Sequence, residues 1–132
     1  MTKTLRSKKG VTLVELLAVI VILGIIAAIA VPAIGGLIDR QRENAADRSY
    51  EGVIAAAELY ATENALAQDA QFTLANVIAA GFLEENPFTG EPAVVFEVGA
   101  AQSVSVFSVD AAEADFTLEI DGYTVFTGPV TP

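Results

Sequence analysis

Residues 16–38 are an uncharged run of 23 residues made almost wholly of Ile, Val, Leu and Ala. This run constrains the fold more tightly than anything else in the chain. About 20 apolar residues in a helix cross the hydrocarbon core of a bilayer, and inside lipid only a helix or a closed barrel satisfies its own backbone. The run is therefore read as a single spanning helix. Lys3, Arg6, Lys8 and Lys9 precede it, and residues 1–10 hold no acid. Cationic flanks stay in the cytoplasm, so the expected topology is a single-pass precursor, N-terminus in, with the rest of the chain outside the cytoplasm.

Glu15 stands at the head of the apolar run. A carboxylate at membrane depth costs roughly 2–3 kcal/mol unless it is paired. A plain anchor has no use for it. Two readings follow: a partner charge supplied by another molecule, or an interfacial Glu that marks the end of the span.

Composition removes several kinds of chemistry. The chain has no His and no Cys, so a disulfide framework, the usual zinc ligand sets, a thiol nucleophile and a Ser–His pair are all excluded. Beyond residue 10, Arg40, Arg42 and Arg48 face all 17 acids, 3 cations against 17 and a formal −14. After Arg48 come thirteen acids and no cation. Such a body has no basic patch for nucleic acid. Paired carboxylates such as Glu84, Glu85, Glu91 and Glu97 are too many and too ordinarily spaced to single out a glycosidase pair, and no phosphate loop is present.

Lys8-Lys9-Gly10-Val11-Thr12-Leu13-Val14-Glu15, with the apolar run behind it, resembles the prepilin signal of the type IV pilin and pseudopilin family. That pattern is a short basic leader ending in Gly, then an apolar helix with Glu as its fifth residue. The resemblance implies cleavage by a prepilin peptidase between Gly10 and Val11, and methylation of the new Val11 amine. It implies that Glu15 pairs with the Val11 amine of a neighbouring subunit and so sets register during assembly. Family members usually carry Phe at the first mature position, and Val11 departs from that. The partners implied are further copies of the chain in a homopolymeric filament, the prepilin peptidase, and a membrane assembly platform driven by a cytoplasmic ATPase. The subunit waits in the cytoplasmic membrane and ends in a cell-surface or extracytoplasmic filament, serving adhesion or twitching motility. A pseudopilin of type II secretion, or of competence DNA uptake, is the alternative. A third reading comes from the residues themselves. Ala28-Ile29-Ala30 is a small-x-small site, and cleavage after Ala30 would release a secreted acidic binding domain.

The expected fold is α+β, a pilin-like roll. Its segments are a leader (1–10), an apolar membrane and filament-core helix (11–38), an amphipathic continuation of that helix (39–66), and a head (67–132). Ala46, Tyr50, Val53, Ala57, Tyr60 and Ala61 recur at helical spacing and form the stripe that the head must cover. Gly24, Pro32, Gly35 and Gly36 interrupt the helical pattern and predict a kink or, by the resemblance, a segment that melts when subunits pack. Arg40, Arg42 and Arg48 are either solvated helical ion pairs or groups that meet acids of neighbouring subunits.

In the head, Gln71-Phe72-Thr73 is read as the opening of a short helix, with Thr73 as N-cap, Leu74–Ala80 as its body and Gly81 after its end. The passage Ala-Ala-Gly-Phe-Leu … Asn-Pro-Phe-Thr-Gly over residues 79–90 is similar to the helix-to-sheet connection of Gram-positive pilins and pseudopilins. Four strands are predicted: Ala93–Val98, Ser103–Val109, Phe116–Ile120 and Tyr123–Thr127, the last two joined by an Asp121-Gly122 hairpin turn. No resident cofactor is expected. Asp110, Glu113, Asp115 and Asp121 lie near turns and are a candidate oxygen-ligand set for a structural calcium ion.

Overall fold

The computed structural model describes residues 12–110 and 115–128. The element order is α1 (Leu13–Glu63), β1 (Gln71–Thr73), α2 (Leu74–Ala79), β2 (Val94–Val98), a 3₁₀ turn (Ala100–Gln102), β3 (Val104–Val109), β4 (Thr117–Ile120) and β5 (Tyr123–Thr127). The arrangement is α+β and pilin-like. The chain divides into two compact units, Met1–Arg40 and Gln41–Pro132.

α1 runs as one helix through Gly24, Pro32, Gly35 and Gly36. A Cβ placed on any of the three glycines would meet nothing within 4 Å, so no contact inside the chain requires glycine there.

The helix ends at Glu63, short of the predicted residue 66. Ala65 turns left-handed with φ 49°. Its amide donates to the Thr62 carbonyl at 3.1 Å and the Leu66 amide to the Ala61 carbonyl at 2.9 Å, the paired bonds of a Schellman stop. An alanine in this conformation is strained by about 1–2 kcal/mol. Ala65→Gly is therefore expected to stabilise the head by roughly 0.5–1 kcal/mol after the loss of unfolded-state restriction, read as a rise in urea midpoint. No change would contradict the strain.

Within the second unit the predicted stripe is the buried one. Ala46, Val53, Ala57 and Ala61 are at most 3% exposed, and Tyr50, Ile54, Ala56 and Tyr60 pack beside them. The small residues let the sheets approach the helix, and two tyrosines anchor them. Tyr60 lies 5.1 Å from Phe72 of β1, which lies 5.5 Å from Phe96 of β2. Tyr50 stacks on Phe126 of β5 at 6.0 Å, and Phe126 on Phe116 at 5.7 Å. Each tyrosine thus ties the helix to a different sheet.

The four predicted strands are present and are divided between two sheets. One has the order β1-β2-β3 and the other is the β4-β5 hairpin, all antiparallel. β1 is the fifth strand. Gln71, Phe72 and Thr73 pair with Glu97, Phe96 and Val95, so only Thr73 serves the helix as expected. Its hydroxyl accepts the Asn76 amide at 3.2 Å while Asn76 Oδ1 accepts the Thr73 amide at 2.9 Å, a reciprocal capping box. Gly81, φ 83°, follows the helix end as predicted. β2 buries Val94, Phe96 and Val98 completely. The register shift opposite Val95 and Phe96 pairs them with Ser108 and Val106 and leaves Phe107 as the extra residue of a bulge. Asp121 and Gly122 adopt φ 52° and 81°, the two positive angles of a tight hairpin turn.

Burial raises the Tyr50 phenol above its ordinary value. The folded head therefore holds that proton more tightly than the unfolded chain does. The contribution is complete below about pH 10 and is lost as pH rises through the folded value. The chain has no His or Cys, and its lysines all precede residue 10. Urea midpoints between about pH 9 and 11 are expected to fall, and Tyr50→Phe to flatten that fall. An unchanged slope in the variant would contradict the assignment.

Candidate functional site

Among the described residues the first unit holds one helical stretch, the start of α1, and residues 16–38 of it present an apolar surface on every side. Its large apolar residues are exposed, from 41% at Ile38 to 75% at Leu13. α1 is long and apolar enough to cross a membrane, and none of its most apolar window is buried. Apolar surface on this scale is stabilised only by removal from water. Lipid and other apolar helices are the two environments that do so.

Glu15 lies in the first turn of α1 and is exposed. Its amide donates to the Thr12 carbonyl at 2.9 Å and approaches the Thr12 hydroxyl at 3.4 Å. A carboxylate is favoured in a first helical turn by the unpaired amides there. Gly10 and Val11, the expected cleavage and methylation positions, lie outside the described residues.

Arg40, Arg42 and Arg48 are exposed on α1. The structure separates Arg42 from the other two. With Ala45 it lines an open recess of about 550 Å³ whose other lining residues are Asp121, Gly122 and Tyr123 of the β4-β5 turn.

The proposed calcium set, Asp110, Glu113, Asp115 and Asp121, is described only in part. Among the described residues no group of three or more acidic side chains is placed to share an ion. Asp110 spends one carboxylate oxygen on the Ala93 amide, 2.8 Å away, and Asp121 occupies the hairpin turn. Asp115 is exposed, and Glu113 lies outside the described residues.

The structure also assigns work to the 86–93 loop that spacing alone did not reveal. Asn86 Oδ1 accepts the Phe88 amide at 3.0 Å, and its Nδ2 donates to the Pro92 carbonyl at 3.1 Å. The Thr89 amide donates to the Glu119 carbonyl at 2.7 Å. The loop thereby seats Phe88, 2% exposed, with its ring 6.5 Å from Tyr50 and edge-on to it. The Asn-Pro-Phe sequence was the available signal, since Asn often bonds the backbone two residues on.

Residues 5–31 match the family described as "Prokaryotic N-terminal methylation motif". Over 59 residues the chain is 36% identical to "Type II secretion system core protein G" of Pseudomonas aeruginosa strain PAO1. That similarity covers 45% of this chain and 42% of the relative, so the match spans less than half of either protein. No solved structure matches the chain. The chain carries the prokaryotic N-terminal methylation motif, with Gly10, Val11 and Glu15 inside the matched range, on an α+β pilin-like fold.

Proposed function

We propose that this chain is a structural subunit of a type IV pilus-like filament, without catalytic activity, that polymerises through its N-terminal helix. One observation carries the reading: the exposed apolar surface of α1 from Leu13 to Ile38 begins with a carboxylate, Glu15. A membrane explains the apolar surface and leaves Glu15 unexplained. A bundle of such helices explains both, because a neighbouring Val11 amine neutralises the acid in a medium of low dielectric.

In this role the precursor sits N-in in the cytoplasmic membrane, meets a prepilin peptidase, and passes to a platform driven by a cytoplasmic ATPase. Gly24, Pro32, Gly35 and Gly36 are where the helix bends or melts on packing; a Cβ added at any of the three glycines would meet nothing within 4 Å. Arg40 and Arg48 meet acids of neighbouring heads, which carry many acids and few cations.

A pseudopilin of a type II secretion system is the second reading, favoured by the similarity to core protein G. Deleting the gene in its host separates the two. Loss of antibody-labelled surface filaments supports the pilus. Retention of normally secreted proteins in the cell, with surface filaments intact, supports the pseudopilus. Neither effect would contradict both.

A further inference from the structure

The recess lined by Arg42, Ala45, Asp121, Gly122 and Tyr123 has no part in polymerisation as proposed above. Its chemistry is mixed, with one guanidinium, one carboxylate and one phenol ring. Arg42 stands four positions after Ile38, the last residue of the apolar run. Four residues span at most about 14 Å in any conformation, which keeps Arg42 within reach of the headgroup layer that flanks a bilayer's hydrocarbon core. We propose that this recess binds the zwitterionic headgroup of an aminophospholipid while the subunit waits in the membrane. The inference rests on the membrane reading of residues 16–38.

Arg42 supplies a charge-assisted donor for the lipid phosphate. Asp121 supplies an acceptor for the primary ammonium, which has three protons to give. A headgroup with net negative charge would meet Arg42 favourably and Asp121 unfavourably. A quaternary ammonium has no proton for Asp121. The pair therefore selects ethanolamine over glycerol and choline headgroups. Tyr123 completes the lining with the kind of ring enriched at membrane interfaces.

The test uses the full chain in nanodiscs of mixed phosphatidylethanolamine, phosphatidylglycerol and phosphatidylcholine. Lipids retained after gentle release are weighed by native mass spectrometry. The unaltered chain is expected to enrich phosphatidylethanolamine roughly fivefold over the bulk ratio, the effect of about one net hydrogen bond from the ammonium to Asp121. Arg42→Gln is expected to return retention to the bulk ratio. Asp121→Asn is expected to keep a retained lipid and lose the headgroup preference. Asn tolerates the positive φ of this turn, and both positions are exposed, so unchanged urea midpoints confirm intact folds.

Three results overturn the proposal: bulk ratios in the unaltered chain, equal enrichment in Arg42→Gln, or a lipid-free dimer that both substitutions dissolve. The last would make the recess a contact between copies. A chain that fails to enter the discs contradicts the membrane reading itself, and this inference with it.

Discussion

Glu15→Leu is expected to leave the chain in the membrane and to remove it from filaments. The carboxylate lies in the first turn of α1 beside a long apolar surface. In lipid it costs roughly 2–3 kcal/mol, so its loss makes the membrane-bound precursor more comfortable. In a filament of the proposed kind the same group compensates a neighbour's amine, and deleting it leaves that cation unpaired in an apolar bundle. Both terms disfavour extraction and assembly. Membrane-fraction yield should hold, while recovery in sheared filaments falls at least about tenfold, the effect of some 1.4 kcal/mol. Normal filament recovery from the variant would show that Glu15 merely marks the edge of the span.

Phe96→Ala is expected to bring the head close to unfolding. Phe96 is fully buried at the centre of β2, between β1 and β3. It links Phe72, and through Phe72 the Tyr60 anchor on α1. Removing a buried Phe side chain costs about 3–5 kcal/mol, against a total stability of about 5–15 kcal/mol for a typical domain. Phe107→Ala, at the half-buried bulge position, is expected to cost well under half as much. Urea unfolding of the full chain in detergent reports both through tyrosine fluorescence, since the chain has three Tyr and no Trp. Equal losses would contradict the placement of the core.

The helix stripe and the late strands were legible because periodicity alone specifies them. Ala46, Val53, Ala57 and Ala61 fall on one face at helical spacing, and that face is buried. Phe116, Leu118 and Ile120 alternate with polar residues, and Asp-Gly chose the turn. Two features resisted for physical reasons. β1 is three residues long, too short for alternation to register, and it exists because β2 offers it partners. The end of α1 lacks the glycine that usually marks a Schellman stop, since Ala65 takes the strained position instead. Of the candidate site residues, Glu15 was legible as a charge out of place. The recess at Arg42 was not, because it depends on residues 42 and 121 meeting in the folded head.

The central claim is that the chain is cut and methylated at its N-terminus and assembled through α1. The most direct test is the intact mass and N-terminal sequence of the protein sheared from native cells. The account predicts a pelletable species that begins at Val11 and is one methyl group heavier than its sequence. A soluble species beginning at Val31, or an uncut N-terminus confined to membranes, would contradict it.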